Sequence, residues 1–523
     1  MAALAGFGTM SVELAAVRLL APWFGTSLAV WTNVIGVVLL ALSLGYAWGA
    51  RMAEGEEPFR RLGLHLLLGG ALCAFLPALA APVCGWLLPE QLALGEAAEV
   101  FRWGSLAASC ALFLPPALVL GAVPPLAVES LQRSRGGSAG ASGGRVLFVS
   151  TLGSLAGTFA TTYVLVPELG LRASFLGLGL LLGGMGALVV VRRGAPSQAA
   201  LLLLPALAGL SAFGYSRPTP PDKRVLAERE SAYQFLRVVE SGSLADGTLE
   251  RQLLVNEGLD SYQSLWRPEP GLLGAGEYYY YDPFALPAHW SRARGPWRVL
   301  VLGLGAGTAV RVLSGTVPEG VDLQVTGVEL DPGVVELGHA HMELALGAQD
   351  LVVASGLDAR AALRALPGPF DQIILDAYAN QTEIPSHLAT REFFDELKTR
   401  LAPTGWLCVN VGAFDLEDPV LLSVGATAAS AFERDVQALR VPASRNAVLF
   451  VRREGAVPQP GSADWAVGEP VAALLPRLEL DAHRRSIGPL DGRALSDDRG
   501  GLEHLQLESL RRARAWVAQE VAR

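Results

Sequence analysis

The chain has 523 residues, 51% of them apolar and 17% charged, with a formal net charge of −9. That length holds two or three domains. The acidic balance, with no dense Lys/Arg stripe to replace phosphate counterions, excludes nucleic acid as a partner. The averages hide two unlike halves. Up to about Tyr215 charges are sparse and apolar runs of membrane-spanning length recur. After Arg217 the composition is that of an ordinary soluble protein. Cys73, Cys84, Cys110 and Cys408 show neither metal spacing nor a disulfide framework. They read as buried small hydrophobes, and no metal is expected.

A bilayer core takes roughly 20 apolar residues per helix. On that basis spans are predicted near 2–22, 28–50, 62–88, 103–128, 146–166 and 173–191. A weaker seventh run lies at 199–215 and contains Pro205. The first run carries Glu13 and Arg18 and leads into further spans, so it reads as a retained helix. Ionisable groups at that depth face either a partner or a polar cavity, and an ion pair or a hydrogen-bonded packing contact is the simpler reading. Pro115-Pro116 and Pro124-Pro125 are expected to kink the fourth span. Small residues around Gly153–Gly157 and at Gly177 and Gly179 allow close helix packing. Arg51, Arg60 and Arg61, then Arg133, Arg135 and Arg145, then Arg192 and Arg193 fall on one side of the bilayer. By the positive-inside rule that side is cytoplasmic. The lipid bilayer is therefore an expected partner and the inner (plasma) membrane the expected location. If the run at 199–215 spans, the soluble domain emerges on the opposite side; if that run is re-entrant or interfacial, the domain stays cytoplasmic, which is the expected topology.

In the second half, short strands at Tyr233–Val239 and Leu249–Val255, separated by Asp246-Gly247, predict a hairpin. From Trp297 onward strands and helices alternate. Strands are predicted at 298–302, 322–329, 350–354, 370–376 and 405–411, and helices at 308–315, 332–345, 358–366, 388–401 and 419–431. Strand-like stretches at 433–440 and 446–452 close the series. Alternation of this kind implies a mostly parallel sheet covered on both faces, with ligands beyond the carboxyl ends of its strands. Gly303, Gly305 and Gly307 follow the first of these strands and make a turn where backbone can approach a ligand. Glu329 ends the second strand, where a carboxylate can hydrogen-bond ribose hydroxyls. Together they point to an adenosine-type ligand. Asp358 reads either as a contact to an adenine amino group or as a helix cap. Asp376 ends the fourth strand, where a carboxylate orients or deprotonates a nucleophile.

These motifs resemble the spermidine synthase (aminopropyltransferase) family. Glu230-Ser-Ala-Tyr-Gln-Phe-Leu-Arg-Val-Val-Glu240 is similar to the family's opening strand. Asn256-Glu-Gly258 with Gln263 resembles the next hairpin, and Glu277-Tyr-Tyr-Tyr-Tyr281 resembles the segment lining its amine pocket. Arg18–Gly25, Ile384–Phe394 and Leu495-Ser-Asp-Asp498 resemble its membrane-fused branch. The resemblance implies a multi-span α-helical membrane domain (1–216), a small β domain (225–290) and a Rossmann-like, class I methyltransferase-like α/β catalytic domain (291–523). It implies S-adenosylmethionine or decarboxylated S-adenosylmethionine as the substrate nucleotide, a small-molecule acceptor and a homodimer. By it Gln234 contacts the nucleoside, Tyr279 joins Asp376 in catalysis, and Gln263, Tyr280 and Tyr378 hold the substrate.

Two departures qualify the resemblance. Family synthases carry Asp in the glycine loop, where this chain has Ala306. They carry a second Asp three residues after the first, where this chain has Ala379. The loop Asp faces an aminopropyl ammonium and repels the carboxylate of intact S-adenosylmethionine; Ala306 does neither. The expected reaction releases methylthioadenosine, by transfer to an amine or by intramolecular cyclisation or elimination. The alternatives are methyl transfer and a nucleotide-sensing transporter without turnover.

Overall fold

The computed structural model describes residues 1–24, 28–87, 94–136, 138–193, 222–231, 233–245, 247–255, 262–274, 277–344, 350–378, 384–498 and 501–521. The weak run around Pro205, the Asn256-Glu-Gly258 motif, Asp246, Ala379 and Asn380 lie outside them. The chain forms two compact units. The first is built on the amino-terminal helices and takes in Glu230–Phe235; the second holds both β-sheets.

The helices of the first unit are α1 (Ala2–Phe24), α2 (Leu28–Ala53), α3 (Pro58–Leu87), α4 (Leu94–Leu112), α5 (Leu114–Gly121), α6 (Val123–Arg135), α7 (Ala139–Ala160) and α8 (Gly170–Arg192). Five helical stretches among the described residues are long and apolar enough to cross a membrane. The expected spans 146–166 and 173–191 form one helical stretch, Ala139–Arg192. It breaks at Gly170, whose φ of 75° and ψ of 167° leave helical geometry. The prolines of the fourth span do more than kink it. Each pair opens a new helix, α5 or α6. In a first turn the missing proline N–H breaks no intrahelical bond.

The unit has an apolar core that includes Leu19, Leu20, Phe113 and Phe175, and it also exposes large apolar side chains. Leu147, Phe148, Leu152, Leu155 and Phe159 of α7 are exposed, as are Ile35, Leu39, Leu40 and Leu44 of α2. Inside, Thr161 Oγ1 donates to Ser11 Oγ at 2.9 Å. So many exposed large apolar side chains would suit lipid as the surrounding solvent. Two of the basic residues predicted to share a side reach the corner between α2 and α3. Arg133 donates to the carbonyls of Ala53 and Gly55, both at 3.1 Å, and Arg193 lies over the Phe59 ring. Trp86 closes the opposite end of α3, 85% exposed, as an interfacial aromatic does.

Three expectations are corrected here. Arg18 is not paired with Glu13; it donates to Ser231 O at 2.6 Å and lies 3.9 Å from Glu230. Cys110 is exposed, unlike Cys73, Cys84 and Cys408. Gly177 packs against nothing, whereas Gly153, Gly157 and Gly179 meet neighbouring backbones. A Cβ at Gly157 would stand 2.4 Å from Phe7 O in α1, and one at Gly70 of α3 would stand 2.4 Å from Gly183 N in α8. That proximity lets neighbouring helices pack backbone against backbone.

In the second unit, β1 (Arg224–Glu230), β2 (Phe235–Ser241), β3 (Glu250–Val255) and β4 (Ser264–Trp266) form a small sheet in sequence order. The predicted hairpin is β2–β3, antiparallel with Ser241 opposite Glu250. The larger sheet has eight strands in the order β12-β10-β11-β9-β8-β5-β6-β7. They are β5 (Gly295–Leu302), β6 (Val321–Glu329), β7 (Asp350–Ser355), β8 (Phe370–Leu375), β9 (Leu401–Gly412), β10 (Val436–Arg440), β11 (Asn446–Arg452) and β12 (Arg484–Ile487). β5 to β9 pair in parallel, and β11 returns antiparallel beside β9. From β5 the chain winds outward through β6 to β7, then recrosses to β8 and β9. The switch point therefore lies between the carboxyl ends of β5 and β8. Crossover helices α9 (Thr308–Ser314), α10 (Pro332–His341), α11 (Ala359–Ala365), α12 (Arg391–Arg400) and α13 (Pro419–Phe432) connect these strands, and α14 (Leu502–Val521) follows. The sequence reading did not include β1, β4, β12 or α14.

Close packing at Gly70 and Gly157 has a measurable consequence. Gly70→Leu or Gly157→Leu forces a helix pair apart and should lower thermal stability in detergent by about 1–3 kcal/mol. Gly177→Leu, with no heavy atom within 4 Å of the new Cβ, should stay within about 0.5 kcal/mol of the parent. Equal losses at all three positions would show that the glycines do not set the packing.

Candidate functional site

The site forms where β5, β6, β7 and β8 end. Gly303 has a φ of 91°, and a Cβ there would lie 2.3 Å from the Asp376 carbonyl oxygen. Only glycine lets the β5 turn come this close to the end of β8. Gly305, at φ 57°, faces β4; its Cβ would stand 2.6 Å from Ser264 Oγ. Every amide of the loop is already bonded. Gly303 N and Leu304 N donate to Val328 O at 3.0 and 2.9 Å, and Gly307 N donates to Leu304 O at 3.2 Å. Gly305 N donates to Glu329 Oε2 at 2.9 Å, and Ala306 N to Ser264 Oγ at 2.8 Å. A diphosphate seated on such a loop takes its bonds from free N–H groups. This loop leaves none over, which favours a ligand without phosphate at this position.

Glu329 is buried, and its other oxygen accepts from Asp331 N at 3.1 Å. Burial raises its pKa, against the backbone amides of Asp331 and Gly305 that hold it down. Each carboxylate oxygen keeps a second lone pair, so a ribose hydroxyl can still be accepted. Gln263 lies beside the loop, and its Oε1 is buried without a partner among the described residues. A buried acceptor left over in the protein is one a ligand donor can satisfy.

Asp376 sits at the switch point. Its Oδ1 accepts from Asn410 Nδ2 at 2.8 Å, and the Tyr280 hydroxyl also bonds it. Asp376 and Asn410 meet because Leu375 pairs with Val409, which sets the next residues of β8 and β9 side by side. Burial pushes the carboxyl up to about 7; the bonds from Asn410 and Tyr280 oppose the rise, and the charge of Glu329 adds to it. A carboxyl poised there can take or return a proton near neutral pH. Tyr280 stacks on Tyr281 with centroids 4.1 Å apart, and burial drives both phenols well above their ordinary range. They act as hydrogen-bond donors, not as bases. The Tyr281 hydroxyl donates to Gln263 O at 2.7 Å.

The tyrosine register differs from the expectation. Tyr280, not Tyr279, bonds Asp376. The Tyr279 hydroxyl accepts from Arg267 Nη2 at 2.8 Å, with the guanidinium over its ring. The backbone turns at Tyr278, which has a φ of 67°, and this sends successive rings to different partners. Tyr378 donates to Asn410 O at 3.0 Å and accepts from Gly412 N at 2.8 Å, so its hydroxyl is committed to the scaffold. Asp358 caps α11, with Oδ1 accepting from Arg360 N and Ala361 N. Its Oδ2 lies 2.8 Å from His387 Nε2. Its pKa is lowered: burial works against the shift, and His387 and the cap amides outweigh burial. Both oxygens are thus occupied by protein. Gln234 lies in the first unit, in a tight turn where Ser231 Oγ accepts from its N–H at 2.9 Å.

Ala306 is 1% exposed, and its side chain joins an apolar cluster with Val334, Leu337 and Met342. Position 306 therefore presents no polar group to a ligand. Sequence reasoning missed Asn410, Asn446, Ser264 and His387. The first had a signal: a lone amide in the otherwise apolar run Leu407-Cys-Val-Asn-Val411.

No protein-family model matches the chain. It is 29% identical over 430 residues to "Polyamine aminopropyltransferase 2" of Streptomyces coelicolor, covering 79% of this chain and 73% of the relative. It is 29% identical over 320 residues to "Polyamine aminopropyltransferase" of Mycobacterium tuberculosis, and spans 57% of that protein's length. Among solved structures, a probable spermidine synthase from Corynebacterium glutamicum matches at 20% identity with a TM-score of 0.39, covering 53% of this chain and 97% of the other. Spermidine synthase from Thermotoga maritima matches at 15% identity with a TM-score of 0.35, covering 55% and 84%.

Burying Asp376 should cost stability in a pH-dependent way. Its folded value, about 7, lies above the ordinary carboxylate value of about 3.9. The folded state therefore binds more protons between those values, and stability from this group falls as pH rises through 7. Asp376→Asn removes the buried charge. Its thermal midpoint should exceed the parent's at pH 8, and the gap should narrow toward pH 5. A pH-independent gap would show that Asp376 does not titrate in this range.

Proposed function

We propose that this spermidine synthase-like chain is a membrane-anchored transferase acting on S-adenosylmethionine or its decarboxylated form. The observation that carries the reading is the glycine loop. Its amides are all engaged within the protein, while Glu329 and the unpartnered Gln263 Oε1 remain beside it. That suits a nucleoside carrying a sulfonium and no phosphate. The named activity of the relatives points the same way.

In this reading Glu329 accepts the ribose hydroxyls, and Asp376 with Tyr280 faces the carbon chain beside sulfur. Asp376 takes a proton from the attacking amine nitrogen. The nitrogen–carbon bond forms as the carbon–sulfur bond breaks, and the sulfur electrons leave with methylthioadenosine. The nucleophile is an acceptor amine or the substrate's own amino group. Tyr378 frames the site, and Asp358 reaches adenine only if His387 yields its oxygen. The apolar surroundings of Ala306 favour intact S-adenosylmethionine, because no carboxylate stands there to hold an aminopropyl ammonium or to repel a carboxylate. The same observation keeps methyl transfer as a second reading. The proposed location is the inner membrane, with the second unit cytoplasmic, where its nucleotide is made, and the proposed assembly is a homodimer. In a Cys110→Ser background, Leu490→Cys, whose parent residue is almost fully exposed, should escape an impermeant reagent in intact cells. Labelling there would place the unit outside.

Mass spectrometry after incubation with each nucleotide tests the function. Methylthioadenosine is expected; S-adenosylhomocysteine would establish methyl transfer instead, and no product from either would leave a binding protein. Asp376→Asn should keep nucleotide affinity and lose roughly 10²–10⁴ in turnover. Glu329→Ala should weaken nucleotide binding about ten- to a hundredfold, the worth of a lost charge-assisted bond. Unchanged affinity by calorimetry would remove Glu329 from the site.

A further inference from the structure

Behind Asp376 two amides stand in line. Asn410, on β9, is 2% exposed. Its Nδ2 donates to Asp376 Oδ1 at 2.8 Å, and its Oδ1 accepts from Asn446 Nδ2 at 2.9 Å. Asn446 opens β11 and pairs with Gly412, while Asn410 pairs with Val448. The two side chains are therefore diagonal neighbours on one face of the sheet, the usual reach of a cross-strand contact. The Tyr378 hydroxyl and the Asn446 amide cap the two carbonyl oxygens of Asn410, its backbone O and its Oδ1.

A primary amide has a donor face and an acceptor face. An ionised carboxylate only accepts, so it requires the NH₂ of Asn410. A protonated carboxyl can instead donate to the Asn410 carbonyl. The line of amides can point either way, and the direction is tied to the proton on Asp376. The far end is coupled to it: while Asn446 donates, Asn410 must turn its carbonyl outward and its NH₂ inward.

We infer that Asn446 is a positioning residue. Through Asn410 it selects the amide orientation that favours ionised Asp376, and so keeps the proposed base ready to accept a proton. The inference rests on the reading of Asp376 as that base. The other titratable groups facing Asp376 are Tyr280, Tyr281, Tyr378 and Glu329. The phenols stay neutral near pH 7, and Glu329 raises the Asp376 value; none supplies a cation. Donated hydrogen bonds are therefore what offsets burial, and the bond from Asn410 is one that a neighbouring side chain can reverse.

The arrangement predicts an ordered series at position 446. Asn446→Leu removes the outer donor without adding charge. Asn410 is then free to turn its carbonyl inward, and the Asp376 titration should move up by roughly one pH unit, the worth of one hydrogen bond to the charged form. Asn446→Asp, an acceptor only, should move it further.

The experiment is an infrared pH titration of the full chain in detergent, following the carboxyl band that Asp376→Asn abolishes. Methylthioadenosine binding by each variant serves as the folding control. An Asn446→Leu titration coinciding with the parent's, with only the Asp variant shifted, would mean simple charge repulsion and overturn the inference. The pH midpoint of product release separates the two readings. If the infrared titration shifts and the rate profile does not, the amide line stands and Asp376 is not the base. If both shift together, both stand.

Discussion

Glu329 accepting the N–H of Gly305 is the interaction on which the rest of the site depends. It ties the end of β6 to the turn leaving β5, and so fixes the crevice where the strand order reverses. A buried carboxylate is costly unless its oxygens are bonded. The glycine loop supplies that bond, and the carboxylate in turn satisfies a loop amide that has no helix or strand partner. From this reciprocal arrangement follow the closed amide inventory of the loop, the absence of a diphosphate seat, and the approach of Gly303 to Asp376.

Asp376 belongs to a different balance. Nothing cationic is recorded among the groups acting on it, so burial dominates and its carboxyl titrates near neutrality. Two hydrogen-bond donors, Asn410 and Tyr280, keep the rise from going further. A carboxylate paired with an arginine would be more stable and a poorer base. Burying Asp376 costs stability and leaves a carboxyl able to exchange a proton near neutral pH.

The helical unit combines an apolar core with close backbone contacts. Its helices come together where glycine allows backbone against backbone, α3 on α8 and α1 on α7. Arg133 of α6 reaches the carbonyls of Ala53 and Gly55 at the end of α2, and Arg193 lies over Phe59 at the start of α3.

By itself the sequence determined the two-part organisation, because the long apolar runs and the ordinary soluble composition fall in different parts of the chain. It determined the β5–β9 alternation, because a parallel sheet needs an apolar strand and a crossover helix in turn. It also located Gly303, Gly305, Glu329 and Asp376, because a strand-end residue in such a sheet lies at the crevice whatever else the chain does. What it left open depends on long-range neighbours. Asp358 was divided between cap and ligand contact; the cap won once His387, 29 residues on, took its second oxygen. Arg18 found its partner 213 residues away instead of on its own helix. Among four consecutive tyrosines, only the left-handed turn at Tyr278 decided which ring met Asp376. Asn410 stands out as a lone amide in an apolar run, but its bond to Asn446 carries no sequence pattern, since a hydrogen bond between strands is set by register. Register is a property of the folded sheet.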